Sequence, residues 1–146
     1  MGLTADDRLD IHEVIALHGH LVDAGAYERF GEVFTADLEV DAGDLGRAPL
    51  PAGDPDRSRL DAYIDAARRI GPGGTVALHV TNIVVRDHGD GARAWSKGLL
   101  VDGDGAVASF TYDDRLARTG HGWRIRHRTV TARREPGRGT PPVLPD

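Results

Sequence analysis

The chain has 146 residues, of which 40% are hydrophobic and 28% charged, enough for one domain with a core of its own. Its net charge of -5 gives no electrostatic reason to bind nucleic acid or an anionic membrane, and the absence of cysteine excludes disulfides, thiolate metal sites and cysteine nucleophiles. The N-terminus lacks a basic segment followed by an apolar run, and no apolar stretch approaches the ~20 residues that span a bilayer. We therefore expect a cytoplasmic protein without nucleic-acid or membrane partners.

The first part of the chain predicts three helices. The first runs from about Ala5 to Ala24, with Thr4 as its N-cap and Gly25 as its end. His18 lies near the centre of its apolar stripe and is expected to point inward. A short helix over about 26–34 and a strand over 38–42 follow. The third helix runs to about residue 69, after a Gly-, Pro- and Asp-rich stretch at 43–56 that is typical of a lid or binding loop.

Four strands are predicted over about 75–86, 92–101, 106–118 and 123–134, separated by turn sequences rich in glycine. Helices followed by antiparallel strands indicate an α+β fold, with a curved sheet and helices packed into its concave side. Residues 1–134 form a single domain in this interpretation, and the Pro- and Gly-rich residues 135–146 form a tail.

The strand over 75–86 has one titratable group in its middle. With a period of two, His79 shares a face with Ile83 and Val85, and the opposite face, which includes Val80 and Val84, is also largely apolar. We therefore expect the strand to be covered on both faces and His79 to lie in a low-dielectric environment. Such a histidine is either a hydrogen-bonded core residue or the acid/base group of a pocket.

The last strand alternates between apolar residues and arginines. Its period of two predicts that His127 lies on the inner face with Trp123 and Ile125. The arginines at 124, 126 and 128 are then solvated or form cross-strand ion pairs. They lack interleaved exposed aromatic residues, so they do not indicate a nucleic-acid surface.

Three segments of the chain resemble the SnoaL-like branch of the nuclear-transport-factor-2-like (NTF2-like) superfamily. They are Leu21-Val22-Asp23-Ala24-Gly25-Ala26-Tyr27 followed by Phe30 and Val33-Phe34-Thr35, then Leu78-His79-Val80-Thr81-Asn82, and finally Asp114-Arg115-Leu116 with Gly122-Trp123-Arg124-Ile125-Arg126-His127-Arg128. This branch includes polyketide cyclases and is related to scytalone dehydratase and bile-acid dehydratase. The resemblance covers roughly residues 4–134 and implies a cone-shaped fold, in which a curved, mostly antiparallel sheet wraps around the N-terminal helices.

The resemblance also implies functional residues. Asp23 matches the aspartate that ends the first helix of the dehydratases, and His79 matches their catalytic histidine. His18 falls where those enzymes place an aromatic pocket residue. If Asp23 orients one ring nitrogen of His79, the other nitrogen can move a proton near neutral pH without a cofactor. The alternative is that Asp23 caps the helix and His79 is a satisfied core residue.

The remaining candidates are pocket groups. His18 and His127 would be polar groups, and together with His79 they would place three imidazoles on inward faces. We hypothesise that at least one of the three donates a hydrogen bond to a substrate oxygen as charge develops there. Aromatic lining is expected from Tyr63, Trp95, Phe110 and Tyr112. Two histidines and an aspartate could instead bind a metal, but the sequence has no paired ligand spacing, so we predict neither metal nor cofactor.

These observations predict a cofactor-independent lyase or isomerase of the dehydratase type, acting on a small polycyclic, polyketide-like or terpenoid-like substrate in secondary metabolism. One alternative is a polyketide cyclase that closes a ring by intramolecular aldol reaction. An alternative of another class is a non-catalytic module that binds a small ligand. A homodimer through the outer face of the sheet is expected, because the helices of one small domain cannot cover that face as well.

Overall fold

A computed structural model describes residues 2–42, 56–71, 74–132 and 145. The helical elements are α1 (Ala5–Asp23), a 3₁₀ helix (Tyr27–Glu32) and α2 (Arg59–Ile70). The strands are β1 (Phe34–Asp41), β2 (Thr75–His88), β3 (Gly91–Asp102), β4 (Val107–Thr119) and β5 (Gly122–Ala132). The loop predicted at 43–56 and the tail predicted at 135–146 fall, apart from residues 56 and 145, outside the described residues.

The five strands form one sheet in the order β1-β5-β4-β3-β2, antiparallel except for the parallel pair β1 and β5. Helix α1 packs on β2 and β5, and α2 packs on β1. The predicted α+β architecture is therefore confirmed. We call the side of the sheet that carries the helices the inner face, and the opposite side the outer face. None of the helices in the described parts of the chain is long and apolar enough to cross a bilayer.

The helix boundaries follow from local hydrogen bonds. The hydroxyl of Thr4 accepts from the backbone N–H of Asp7, and the Asp7 carboxylate accepts from the backbone N–H of Thr4, which is a capping box. Ser58 caps α2 by accepting from the backbone N–H of Asp61. The inward stripe of α1 includes Ile11, Ile15 and His18, all buried, so the predicted direction of His18 is confirmed.

The same aspartate ties α1 to the sheet. Its carboxylate accepts hydrogen bonds from the indole N–H of Trp123, at 3.1 Å, and from the guanidinium of Arg118. Because Arg118 and Trp123 face each other across β4 and β5, the start of the helix is fixed to both strands. Hydrogen bonds from Thr4 and Trp123 hold the pKa of Asp7 well below its ordinary value.

Close approach of α1 to the sheet depends on one glycine. A Cβ atom at Gly19 would lie 2.6 Å from the backbone oxygen of Leu78 and 3.5 Å from the side chain of Val80. Backbone cannot yield as a flexible side chain can, so this position of α1 accepts no side chain at the observed helix–strand distance.

Strand β2 contains a β-bulge. Its pairing with β3 shifts between Thr81, opposite Lys97, and Val84, opposite Trp95. Two residues of β2 therefore face one residue of β3, and one of the two, Asn82, has a left-handed φ of 56°. A bulge of this kind changes which residues of a strand point inward.

This bulge inverts the alternation from which the position of His79 was predicted. Val85 belongs to the core. In a regular strand every second residue before it, including His79, would point to the same inner face. With the extra residue, Leu78 and Val80 point inward, and His79 faces outward and is exposed. The prediction of a strand covered on both faces, with His79 in a low-dielectric place, is therefore wrong.

A second bulge acts on β5 in the same way. Its pairing with β4 shifts between residues 115 and 116, which makes Arg126 the extra residue of β5. Ile125 points inward before the shift, and Arg128 points inward after it, opposite Asp114. His127 lies on the outer face, so the predicted inward position of His127 is wrong. Arg128 is not solvated but forms a cross-strand ion pair with Asp114, the other possibility that the sequence left open.

Candidate functional site

The two predicted catalytic residues do not meet. Asp23 is exposed at the end of α1, and its carboxylate accepts the backbone N–H of Leu78 at 2.8 Å. That bond joins the helix to β2 but leaves the carboxylate on the side of the strand opposite to His79. Within the described parts of the chain no hydrogen bond connects Asp23 with His79. The predicted pairing is wrong, and the catalytic role of the two residues stays a prediction without its geometric basis.

The inner face instead carries a buried polar cluster, which we define as His18, Arg128 and Asp114. Arg128 donates two hydrogen bonds to the Asp114 carboxylate, from Nε to Oδ1 and from Nη2 to Oδ2, each 2.7 Å long. Its Nη1 lies 3.0 Å from Nδ1 of His18. The exposed fractions are 4% for His18, 1% for Arg128 and 0% for Asp114. Three elements, α1, β5 and β4, thus place one polar group each at a single point of the core.

Aromatic rings surround the polar cluster. The guanidinium carbon of Arg128 lies 4.0 Å from the ring centroid of Tyr112 and 5.3 Å from that of Phe34. The His18 ring makes edge contacts with Phe30, Phe34 and Tyr112 at centroid distances of 5.5, 5.3 and 6.3 Å. Tyr63 packs against Phe30 and Phe34, at 5.7 and 5.4 Å. The cluster therefore lies in a low-dielectric aromatic environment, where its interactions are stronger than in water.

Burial and charge set the protonation states of the cluster. Burial lowers the pKa of His18 well below its ordinary value of 6.5, and the positive charge of Arg128 lowers it further, so the imidazole is neutral. Burial alone would lower the pKa of Arg128, but the charge and hydrogen bonds of Asp114 raise it above its ordinary value. Burial raises the pKa of Asp114, and the charge and hydrogen bonds of Arg128 act against that rise. With both hydrogen bonds of the guanidinium on the carboxylate, the cluster is a buried ion pair in contact with a neutral histidine.

A small apolar cluster of the core adjoins the polar cluster through Tyr112. Tyr112 packs with Leu78, Phe110 and Val130, whose exposed fractions lie between 7% and 9%. Opposite Tyr112 on β3 lies Ser96, which is 1% exposed and whose hydroxyl has no hydrogen-bond partner in the described structure. Buried hydroxyl groups are normally paired with protein, water or ligand. This region therefore combines apolar contacts with an unsatisfied polar group beside the cluster.

The other predicted pocket residues divide between the two faces. Tyr63, Phe110 and Tyr112 lie on the helix side of the sheet, as expected for lining residues. Trp95 is buried on the outer face, where the guanidinium of Arg93 stacks 4.6 Å from its ring. The sheet separates Trp95 from the polar cluster, so the prediction that it shares a pocket with the inner residues is wrong.

His127 lines an open groove on the outer face near the turn between β2 and β3. The groove has a volume of about 560 Å³, and charged side chains, including Arg115 and Asp37, form much of its lining. It differs from the enclosed, apolar chamber that was expected beside His79. No group of three or more His, Asp or Glu side chains in the described ranges is arranged to hold a metal ion.

The sequence interpretation missed Arg128 and Asp114. An arginine opposite an aspartate on paired inner positions is a usable signal, but finding it requires the register of β4 and β5. The bulge at Arg126 hides that register, because a strand counted without it places Arg128 in solvent. His18 carried the clearer signal, since a helix has no comparable irregularity over its length.

A family model of the SnoaL-like domain matches residues 3–129, and the chain belongs to this family. Among solved structures it is similar to the Kfla4162 protein from Kribbella flavida, with a TM-score of 0.71, 25% identity, and coverage of 87% of this chain and 90% of that one. It is also similar to an NTF2-like protein with a cystatin-like fold from Novosphingobium aromaticivorans, with a TM-score of 0.65, 26% identity, and coverage of 87% and 82%.

A candidate scytalone dehydratase from Novosphingobium aromaticivorans shares the fold, with a TM-score of 0.65, 17% identity, and coverage of 90% of this chain and 89% of that one. The predicted NTF2-like fold is therefore confirmed. A comparison with curated proteins gave no match.

Proposed function

We propose that this SnoaL-like protein is a cofactor-independent enzyme of the lyase or isomerase type, and that it acts on a small, largely apolar ketone. The polar cluster would bind the ketone oxygen, and the apolar cluster around Tyr112 would pack against the ring system. The observation that carries the proposal is a buried neutral histidine, fixed by a buried ion pair, on the inner face of the sheet.

The chemistry follows from the groups present. Removing a proton from the carbon beside a carbonyl, with solvent hydroxide as the acceptor that becomes water, moves negative charge onto the carbonyl oxygen. Hydrogen-bond donors in a low-dielectric site stabilise that charge more than water does. Dehydration, double-bond isomerisation and aldol ring closure can all pass through such an enolate, so the polyketide cyclase alternative uses the same step. His18 is the inner-face histidine among the described residues and is the candidate donor.

Exchange at the carbon beside a carbonyl measures this common step. The bicyclic ketone 1-tetralone is incubated with the protein in deuterium oxide, and loss of the proton signal at its second carbon is followed by NMR. We expect exchange faster than in protein-free buffer, and a loss of at least ~10-fold in the variant His18→Phe, since one donor at such a site is worth about 10²–10³-fold at full effect.

The matched control is His79→Phe, which removes an exposed imidazole from the outer face. We expect it to keep the exchange rate of the wild type. Binding of tetralin, which has the same shape without the oxygen, separates catalysis from simple uptake. Equal binding of 1-tetralone and tetralin without exchange would overturn the proposal in favour of a binding module. A loss of exchange rate that occurs only in His79→Phe would overturn the role of His18.

A further inference from the structure

We propose that Arg128, held by Asp114, fixes His18 as the tautomer with its proton on Nε2, so that His18 acts as a permanent hydrogen-bond donor and not as a base. The inference deepens the proposed function and rests on it for the identity of the ligand. It narrows the ligand class to molecules whose oxygen gains negative charge, such as ketones that form enolates, and disfavours amines.

The tautomer follows from the chemistry of arginine. A guanidinium has five N–H donors and no acceptor, so a contact of 3.0 Å between Nη1 of Arg128 and Nδ1 of His18 requires Nδ1 to accept. The ring proton is then on Nε2. This leaves no lone pair of the imidazole available to a ligand, because the Nδ1 lone pair is occupied and Nε2 carries the proton.

Arg128 cannot turn away to release Nδ1. Both of its bonds to Asp114 are 2.7 Å long, and the two residues face each other directly across β5 and β4. The guanidinium also stacks on Tyr112 at 4.0 Å and is 1% exposed. Backbone pairing, a bidentate ion pair and an aromatic face therefore hold the donor to His18 in one place.

The surroundings also oppose protonation of His18. Arg128 on β5 and Tyr112 on β4 contact His18, Asp114 on β4 pairs with Arg128, and Tyr63 on α2 packs against Phe34. The 3₁₀ helix and β1 contribute Phe30 and Phe34, which carry no charge. The carboxylate of Asp114 already pairs with Arg128, so an imidazolium would be a second buried cation without a counter-charge.

The ligand preference follows from the hydrogen-bond donors and the charges of the polar cluster. In the described structure Asp114 and His18 accept hydrogen bonds from three of the five N–H groups of Arg128. An oxygen that becomes negative beside the polar cluster would accept from the Nε2–H of His18 and would be stabilised by the positive charge of Arg128. An ammonium group in the same place would meet the positive charge of Arg128.

The tautomer can be observed without a ligand. Protein labelled with ¹⁵N in histidine is recorded by long-range ¹H–¹⁵N NMR from about pH 5 to about pH 9, with free histidine in the same tube as the titrating reference. The His18 signals are identified by their absence in His18→Phe. We expect an unprotonated Nδ1 and a protonated Nε2 throughout the range. A proton on Nδ1, or a His18 that titrates with free histidine, overturns the inference.

A second measurement uses a double variant and a ligand series. Replacing the ion pair by apolar residues, Arg128→Met with Asp114→Leu, should let His18 sample both tautomers. An unchanged spectrum would contradict the fixing of the tautomer by Arg128, which we call the lock.

In the wild type, 2-naphthols of increasing acidity should bind with increasing affinity, and 2-naphthylmethylammonium should bind more weakly than 2-naphthol. The reverse order of affinities overturns the proposed ligand class. If the tautomer is as expected but 1-tetralone does not exchange, the proposed function fails and the lock stands.

Discussion

Arg128 and Asp114 place two full charges where water does not reach, at 1% and 0% exposure. Transfer of such charges from water is expensive, and only the bidentate geometry and the additional bond to His18 offset it. A buried pair of this kind is weak evidence for stability by itself, because apolar residues of similar volume often fit the same space at no loss. Our proposal gives the pair a role beyond packing, which is to fix the tautomer of His18.

The variant Asp114→Asn should destabilise the protein by about 3 to 5 kcal/mol, because it leaves the guanidinium of Arg128 buried without a counter-charge. The measurement is the free energy of unfolding in urea. Asp113→Asn is the matched control. Asp113 pairs with Arg93 on the outer face, where both side chains are 25% exposed, and its loss should change stability by only about 1 kcal/mol or less. Equal losses in the two variants would contradict the special position of Asp114.

At the scale of elements, two bulges decide which side chains reach the inner face. The bulge in β2 includes Asn82, which has a φ of 56°. Asparagine tolerates left-handed backbone better than β-branched residues, whose Cβ substituents collide with the following carbonyl. The bulge in β5 turns Arg128 inward and His127 outward. Each bulge is therefore part of how the site is built.

The backbone at position 82 gives a direct test of the bulge. We expect Asn82→Val to lower the free energy of unfolding by roughly 1 to 3 kcal/mol, while Asn82→Gly stays within about 0.5 kcal/mol of the wild type. His79→Val on the same strand is the control, because His79 is exposed and a β-branched residue suits a regular strand. If Asn82→Val matched His79→Val in stability, the strained conformation of residue 82 would be refuted.

At the scale of the whole molecule, Asp7 joins the start of α1 to β4 and β5. Its folded-state pKa lies below its ordinary value of 3.8, so the carboxylate contributes stability above that value and loses it as the pH falls toward the folded-state pKa. The Tm difference between wild type and Asp7→Asn should therefore be constant from about pH 7 to about pH 4 and should shrink below pH 3.8.

Thr4→Ala is the companion variant for that experiment. It removes the cap hydroxyl but keeps the bonds of Asp7 to Trp123 and Arg118, and should cost about 1 kcal/mol. A Tm difference for Asp7→Asn that shrinks already between pH 7 and pH 5 would contradict the depressed pKa of Asp7.

We also propose that two copies of the chain associate through the outer face. Val84, Leu99 and Val101 lie there beside Trp95, on the side of the sheet without helices. The variant Leu99→Asp should reduce the dimer fraction in sedimentation equilibrium. Leu9→Asp is the control, because Leu9 is 68% exposed on α1, away from that face. A monomeric wild type, or equal effects of both variants, would contradict this interface.

The sequence by itself determined the order and bounds of most elements, the capped helices, the inward direction of His18 and the α+β class. These depend on local signals: the cap at Thr4, turn residues between strands, and a helical period that holds over the 19 residues of α1. Such signals act over one or two turns of chain, so a single sequence displays them.

Only the tertiary structure decided the faces of His79, His127 and Arg128. A single bulge reverses every inward position beyond it, and bulges are set by pairing with neighbouring strands and not by local composition. The same pairing places Asp114 opposite Arg128, although neither residue is close to His18 in the sequence. The polar cluster therefore exists only once α1, β4 and β5 are assembled, because each supplies one group and none supplies two.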